Sequence, residues 1–492
     1  MDIRYISTRG DKEEFTASQA VIKGLSNDGG LFVPKTFPKA ELDLGKLIKM
    51  DYKETALFVL GLFFTDYTEE ELKYCVEKAY DAKFDDPEIA PLAEHDGRFF
   101  LELFHGPTIA FKDMALSILP HLLTCALKKN GIKEEVVIMT ATSGDTGKAA
   151  LAAFADVPGT KIIVFYPKGG VSTIQELMMV TQKGANTKVI GVEGNFDDCQ
   201  SSVKKMFGDK ALGEEIAKCG FRFSSANSIN IGRLIPQVAY YLYAYSLMVK
   251  KGAIKAGDKL NFTVPTGNFG NILAAFYAKK LGLPIGKLIC ASNINKVLYD
   301  FFETGIYDRR RQFVLTSSPS MDILISSNLE RLLYDCVDCD SDEIKHLMDS
   351  LSNEGIYRVS DKCRANMKDF TGIFATEEQV NETIRKIYED CGYVIDTHTA
   401  VAAYADMKYA KSSDEKSVII STASPFKFCK SVLEALGAAT DRDDFSLADS
   451  LSSLSHVKIP SALSDLKSAE ILHKDVCPAE DMSKLVKEFL KV

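Results

Sequence analysis

The sequence predicts an α/β fold with parallel sheets, and three observations lead to this prediction. Short β-rich runs recur from about residue 98, and their lack of polar alternation indicates strands buried on both faces. A turn and a helix-like segment follow most of these runs. Repeated strand–turn–helix units require right-handed crossovers, which produce a parallel sheet.

The elements follow in order along the chain. Residues 1–85 are predicted to form a small α+β unit, with a glycine-rich turn in GLSNDGGLFVP and a capped helix that starts near Thr68. A larger body is predicted over residues 86–430, and a helical segment packed on it over 431–492. The predicted strands of the body are EVVIMT, KIIVFYP, TKVIGVEG, KLNFTVP, KLICAS and SVIIST.

Composition excludes several classes of protein. The net charge of −9 argues against a nucleic-acid partner, which would require a basic surface. No run approaches the roughly 20 apolar residues of a membrane span, and the N-terminus has no apolar signal core. The 11 scattered cysteines favour a reducing compartment, so we expect a cytoplasmic protein. Cys336 and Cys339 have no second ligand pair nearby, and no metal site is predicted.

The segment HGPTIAFKDMAL contains the first candidate for chemistry. Gly106 and Pro107 indicate a turn, and Lys112 follows between Phe111 and Asp113, where a helix begins. A lysine on a solvated helix face is the ordinary interpretation. The alternative is a lysine kept neutral by apolar surroundings, whose amine can attack a carbonyl.

Two loops after predicted strands provide groups for an anion. TATSGDTG contains Thr142, Ser143 and Thr146 and leads into a helix, whose N-terminus favours negative charge. In VPTGNFGN, Gly267 and Gly270 let backbone N–H groups face a ligand, which is typical of a phosphate-binding loop. Helix capping alone is the alternative for the first loop.

Two further segments add polar groups. NSINIGRLIPQ, which begins with Asn227 and Ser228, places Arg233 where it could bind a phosphate or carboxylate, although a surface arginine is equally compatible. In IISTASPFKF, a hydroxyl at a strand end could contact a ring nitrogen. A lysine, a phosphate-binding loop and a strand-end hydroxyl together suit pyridoxal 5′-phosphate (PLP) as cofactor.

Several motifs, taken in order, resemble the threonine synthase family in its long form with an N-terminal domain. They are STRG…GLSNDGGLFVP, HGPTIAFKD, TATSGDTGKAA, NSINIGRLIPQ, PTGNFGN and SPSMDILISSNLERLL. The resemblance implies PLP fold type II, as in the tryptophan synthase β subunit, with two parallel-sheet subdomains and a small N-terminal α+β domain. It implies conversion of O-phospho-L-homoserine and water to L-threonine and phosphate, by γ-elimination and β-addition of water.

The resemblance also implies roles for individual residues. Lys112 would form the Schiff base, Thr422 (or Ser421) would contact the pyridine nitrogen, and Asp145 would lie near the cofactor 3′-hydroxyl. The cofactor phosphate would be held by Gly267, Asn268, Phe269, Gly270 and Asn271. The substrate carboxylate and phosphate would be bound by Thr142, Ser143, Thr146, Asn227, Ser228 and Arg233.

The sequence departs from the family pattern at three positions. Asn271 stands where many relatives carry Asp, Ser117 replaces a frequent Gln, and Ser424 replaces a histidine beside the ring. An alternative activity stays open: a phospholyase would release 2-oxobutyrate, ammonia and phosphate from the same substrate. A monomer or a homodimer is expected.

Overall fold

The computed structural model describes residues 2–142 and 144–492, and the N-terminal unit is a two-stranded sheet with four helices. Strands β1 and β2 pair antiparallel. Thr16, Asp51 and Thr68 each cap a helix start through a capping box, as the Thr68 pattern predicted. The elements are β1 Tyr5–Ser7, α1 Ala17–Lys23, β2 Phe32–Pro34, α2 Leu44–Leu47, α3 Tyr52–Phe63 and α4 Glu69–Ala79.

The next part of the chain supplies most of a five-stranded sheet. Strands β5, β6 and β7 follow the predicted runs EVVIMT, KIIVFYP and TKVIGVEG, whereas β3, β4 and β8 were not among the predicted strands. Strand β6 is buried along nearly its whole length. The elements are β3 Leu92–His95, β4 Arg98–Glu102, α5 Asp113–Leu116, α6 Leu119–Lys129, β5 Glu135–Ala141, α7 Asp145–Phe154, β6 Thr160–Pro167, α8 Thr173–Val180, β7 Thr187–Glu193, α9 Phe196–Gly208, α10 Lys210–Lys218, β8 Phe221–Ser224 and α11 Ile231–Lys250.

The remaining elements complete a six-stranded sheet and the C-terminal segment. They are β9 Leu260–Pro265, α12 Gly270–Lys280, β10 Ile285–Ser292, α13 Val297–Thr304, β11 Ile306–Asp308, α14 Leu329–Cys336, α15 Ser341–Asn353, β12 Ile356–Arg358, α16 Asp361–Asn366, β13 Phe370–Phe374, α17 Glu377–Cys391, α18 Thr397–Tyr409, β14 Ser417–Ser421, α19 Cys429–Ala435, α20 Asp444–Ser455, α21 Ser461–Ser464, β15 Asp475–Pro478 and α22 Met482–Leu490.

Two large sheets organise the body. One has the order β13-β10-β9-β14-β4-β3 and is parallel except for the β3–β4 pair; the other is wholly parallel, with the order β15-β7-β6-β5-β8. Helix α11 is buried almost throughout and packs against α3 and α12. The N-terminal unit is therefore joined to the body by a shared apolar core.

The C-terminal segment differs from its helical prediction in one element. Strand β15 pairs in parallel with β7 and forms an edge of the five-stranded sheet. Its four residues, Asp475–Pro478, are too short to stand out as a strand in sequence, and the edge of β7 stabilises them. The division into residues 1–85, 86–430 and 431–492 stays a prediction. Among the described helices, none combines the length and apolar character needed to cross a bilayer.

Candidate active site

Lys112 lies at the start of α5, close to the carboxyl end of β14. The backbone N–H of Phe111 donates to the carbonyl of Thr422 at 2.8 Å, and Ala110 forms a β-bridge with Ala423. These contacts hold the lysine segment against the strand end. The predicted candidate is thus at the edge of the sheet where ligands bind in α/β folds.

The Lys112 amine is buried among polar and charged groups. Its Nζ lies 3.2 Å from Ser320 Oγ and 3.6 Å from Asp145 Oδ2. Burial lowers the pKa of Lys112, Asp145 opposes this effect, and the nearby cations Lys427 and Arg233 add to it. A lysine with a lowered pKa is neutral more often, so its amine is better suited to act as a nucleophile or a base.

Asp145, the first residue of α7, joins the two subdomains at this point. Its Oδ1 lies 3.1 Å from Lys427 Nζ and 3.1 Å from Gln175 Nε2, and Oδ2 accepts from Ser320 Oγ at 3.2 Å. Burial by itself raises the pKa of Asp145, but Lys427 and Lys112 outweigh it, and the pKa falls below its usual range. Asp145 is therefore a carboxylate near pH 7. Its place near the cofactor 3′-hydroxyl stays a prediction.

The glycine loop between β9 and α12 is built as a close-fitting turn. A Cβ at Gly267 would lie 2.5 Å from the Ser320 carbonyl oxygen, so only glycine fits there. Ser326 Oγ donates to the Gly267 carbonyl at 2.6 Å, and Asn328 donates twice to the Asn268 carbonyl. Phe269 then adopts a left-handed conformation with φ 65° before α12 begins at Gly270. The first amides of α12 have no partner within the helix, as phosphate binding requires.

Asn271 has one engaged and one available side-chain group, and its expected contact with the cofactor phosphate stays a prediction. Its Oδ1 accepts from the hydroxyls of Tyr240 and Tyr241 at 2.6 and 2.5 Å, so the side-chain oxygen faces α11. Its Nδ2 is buried and has no hydrogen-bond partner within residues 2–142 and 144–492. A buried donor without a partner loses free energy unless an acceptor binds, so this atom fits an anionic group.

Arg233 is a second buried donor of the same kind. The side chain is 5 % exposed and Nη1 donates to the Ala226 carbonyl at 2.9 Å, while Nε has no partner among the described residues. Burial lowers the pKa of Arg233 to about 10, so the side chain still carries its charge near pH 7. The surface-arginine alternative is therefore wrong, and the group has a free donor for an anion.

The other predicted substrate ligands differ in their hydrogen bonds and in their exposure to solvent. Thr142 Oγ1 accepts from the amides of Gly144 and Gly147 at 3.0 and 2.9 Å, so this hydroxyl shapes its own loop. Thr146 is half-buried, Asn227 is exposed, and Ser228 is half-buried. Ser143 lies outside the described residues. The substrate roles of all of these side chains stay predictions.

The two hydroxyls at the end of β14 differ in their partners. Ser421 Oγ lies 3.0 Å from Thr399 Oγ1, which hydrogen-bonds to Asp396. Thr422 is buried and is joined to the lysine segment through its carbonyl oxygen. Because the Ser421 hydroxyl already contacts Thr399, the geometry favours Thr422 as the partner of the cofactor ring nitrogen. This role of Thr422 stays a prediction.

Sequence reasoning did not assign roles to three residues that the structure brings to this site. Ser320 and Lys427 lie inside quoted motifs, SPSMDIL and TASPFKF, but carried no local signal for a role. His398, on α18, had no signal in the sequence at all. Across the described residues, no three His, Cys, Asp or Glu side chains come together as ligands of a metal ion.

His105 links the lysine segment to the end of the N-terminal unit. Its contacts predict that the stability of the fold depends on pH. Its Nδ1 lies 2.6 Å from Asp85 Oδ1 and its Nε2 2.8 Å from Glu102 Oε2. Burial opposes protonation, but the two carboxylates raise the pKa of His105 from 6.5 to about 9. The protonated form is thus favoured by folding, and its stabilisation is complete below pH 6.5 and lost as pH rises through 9.

We expect this interaction to contribute up to about 3 kcal/mol below pH 6.5 and almost nothing above pH 9. Thermal unfolding at pH 6, 7.5 and 9 measures this contribution as a decline in stability with rising pH. In the His105→Gln variant, much of this decline should be absent. The exposed His346 provides a matched control in His346→Gln. A decline as steep in His105→Gln as in the parent protein would contradict the assignment.

Comparisons with known proteins agree with this geometry. The family described as "Threonine synthase N terminus" matches residues 4–80, and the family "Pyridoxal-phosphate dependent enzyme" matches residues 88–424. A threonine synthase from Schizosaccharomyces pombe is 37% identical over 473 residues, which are 89% of this chain and 90% of that protein. Threonine synthase-like 1 from Pongo abelii is 39% identical over 450 residues. The match covers 88% of this chain but only 60% of that relative's length.

A solved structure supports the same assignment. The crystal structure of PLP-bound threonine synthase from Brucella melitensis has a TM-score of 0.89 and 35% identity, and the match covers 99% of both chains. The predicted fold, two parallel-sheet subdomains with a small N-terminal α+β domain, is confirmed. Residues around Lys112 offer free donors and a buried amine that fit the cofactor. The chain thus belongs to the threonine synthase family of PLP-dependent enzymes.

Proposed function

We propose that this protein is a threonine synthase that converts O-phospho-L-homoserine and water to L-threonine and phosphate. The observation that carries the proposal is the buried Lys112 amine beside Asp145, in a chain that aligns along nearly its whole length with threonine synthases. The cofactor would be linked to Lys112, with its phosphate on the Gly267–Asn271 loop and its ring nitrogen next to Thr422. When bound, PLP withdraws electron density from an attached amino acid and makes its Cα–H acidic.

Lys112 is the proton carrier in this reaction. The phosphate group leaves from Cγ of the substrate, so protons have to be removed at Cα and Cβ and one added at Cγ before water adds at Cβ. A proton then returns to Cα to give the product. A single amine can serve these steps if it gives up each proton before it takes the next, and burial, which lowers the pKa of Lys112, favours this release. Asp145 stays ionised and places a negative charge 3.6 Å from the Lys112 nitrogen.

The charges of the site suit anionic ligands. The enclosed charged groups of this region are Lys112, Lys148, Lys427, Arg233, Asp113 and Asp145. Because Lys112 acts in its neutral form, Lys148, Lys427 and Arg233 are the cations of this set, and they outnumber the carboxylates Asp113 and Asp145 by one. A phosphorylated cofactor and a phosphorylated substrate neutralise this excess, whereas an uncharged hydroxyamino acid would not.

Arg233 is assigned to the phosphate or carboxylate of the substrate. Its free Nε and its charge can stabilise negative charge that develops on the departing phosphate. Location in the cytoplasm, and assembly as a monomer or homodimer, stay predictions from the sequence.

A product assay tests the proposal. Purified protein with PLP is mixed with O-phospho-L-homoserine, and threonine, phosphate, ammonia and 2-oxobutyrate are quantified together. We expect threonine and phosphate in equal amounts. Equal amounts of 2-oxobutyrate, ammonia and phosphate without threonine would instead identify a phospholyase, and no phosphate release would reject both activities.

A further inference from the structure

Ser320 stands at the centre of the candidate site, although no role has been assigned to it. Its Oγ lies 3.2 Å from Lys112 Nζ and 3.2 Å from Asp145 Oδ2. Its carbonyl oxygen packs so closely on Gly267 that any side chain there would collide with it. One serine thus touches the lysine, the carboxylate and the glycine loop.

A buried histidine–aspartate pair holds Ser320 in this position. The backbone N–H of Ser320 donates to His398 Nε2 at 3.1 Å, so Nε2 carries a lone pair. The proton of His398 is then on Nδ1, which donates to Asp396 Oδ2 at 2.8 Å. Asp396 in turn accepts from the Thr399 amide and hydroxyl. His398 and Asp396 are almost completely buried, so this arrangement is tightly constrained.

We infer that Ser320 is a catalytic residue that orients the Lys112 amine, and that His398 and Asp396 are positioning residues that act through the Ser320 backbone. The inference rests on the proposed function of Lys112 as a proton carrier.

The hydrogen-bond directions give the physical basis. The single Ser320 hydroxyl proton is donated to Asp145, which leaves the oxygen free to accept from the Lys112 amine. An N–H of Lys112 held in this way fixes the direction of the nitrogen lone pair. Without the hydroxyl, Lys112 could close on Asp145, and a tighter ion pair would favour the ammonium form.

Other charged groups also face Lys112 and enter any pH dependence. They are Asp145 on α7, Lys427 after β14 and Arg233 on α11. His398 on α18 lowers the pKa of Asp145 only in its protonated form, whereas the form that accepts from the Ser320 amide is neutral. A variant of Ser320 leaves all of these groups in place, so a change in titration reports on the hydroxyl itself.

The test compares Ser320→Ala with Ser317→Ala in the full-length holoenzyme. Ser317 lies in the same loop, and its buried hydroxyl makes no hydrogen bond to any residue that the structure describes. For Ser320→Ala we expect kcat to fall about 10- to 100-fold with KM changed less than about threefold. We also expect the pH midpoint of the visible cofactor absorbance, measured without substrate, to move by about half a unit or more. Ser317→Ala should match the parent protein in all three measurements.

His398 provides the test of positioning. His398→Gln keeps an acceptor for the Ser320 amide, whereas His398→Leu does not. We expect the His398→Gln enzyme to keep most of the parent kcat and a similar absorbance midpoint. The His398→Leu enzyme should resemble Ser320→Ala in both measurements. If His398→Leu does not fold, the comparison of Ser320→Ala with Ser317→Ala still decides the role of Ser320.

Two results would overturn the inference: a Ser320→Ala enzyme with the parent kcat and absorbance midpoint, or a His398→Gln enzyme as impaired as His398→Leu. The absorbance titration needs no substrate, so it is independent of the product assay. Failure of the parent protein to form threonine would reject the proposed function, whereas an unchanged titration would reject only the role of Ser320.

Discussion

Replacing Lys112 with alanine is expected to lower kcat for O-phospho-L-homoserine by about 10³-fold or more, because it removes both the cofactor linkage and the proton carrier. Steady-state phosphate release measures the loss. Borohydride treatment of the parent protein, followed by peptide mass analysis, should place the reduced cofactor on residue 112. A label on any other lysine would contradict this assignment.

Lys112→Arg separates the chemistry from the charge. In the parent protein, Lys112 Nζ lies 3.6 Å from Asp145 Oδ2. An arginine at position 112 keeps a cation beside Asp145, but arginine stays protonated and cannot act as a base. We expect Lys112→Arg to be as inactive as Lys112→Ala, with thermal stability closer to that of the parent protein. An active Lys112→Arg enzyme would show that another group carries the proton.

Replacing Arg233 with alanine is expected to remove about 2–4 kcal/mol of transition-state stabilisation, which lowers kcat/KM for O-phospho-L-homoserine by a factor of roughly 30 to 1,000. The affinity for the cofactor should change little. The reason is that the buried Nε of Arg233 has no partner among residues 2–142 and 144–492, which fits the substrate anion. Substrate kinetics and a PLP titration, followed by absorbance, measure the two effects separately.

Two variants control this prediction. Arg233→Lys keeps the charge but loses the planar donor group, so we expect it to recover only part of the lost kcat/KM. Arg222→Ala, a half-exposed position on β8, should behave as the parent protein. Equal losses of substrate turnover and PLP affinity in Arg233→Ala would show that Arg233 serves the cofactor instead.

Motifs with strong local chemistry were readable from the sequence. The buried strands, the glycines after β9 and the lysine after Gly106–Pro107 were visible as short runs of neighbouring residues. The same holds for the helix cap at Thr68. Local propensities and turn chemistry act over such distances, so a single sequence reveals them.

Other features depend on segments that are far apart in the chain. The side-chain oxygen of Asn271 accepts from two tyrosines of α11, which are 31 and 30 positions away in the chain. β15 became a strand because the edge of β7 was free to pair with it. Neither outcome has a local cause, so neither could be read from the residues nearby.

By itself, the sequence determined the α/β class and the family, and it singled out the lysine that we propose carries the chemistry. Only the tertiary structure decided that this lysine contacts Ser320 and Asp145. The same is true of the Lys427–Asp145 ion pair and of the hydrogen bond from the Ser320 amide to His398. Ser320 is 208 positions from Lys112 along the chain, and His398 is 78 from Ser320. Contacts of this kind arise when parallel strands bring their carboxyl ends to one edge, and no local pattern records which loops meet there.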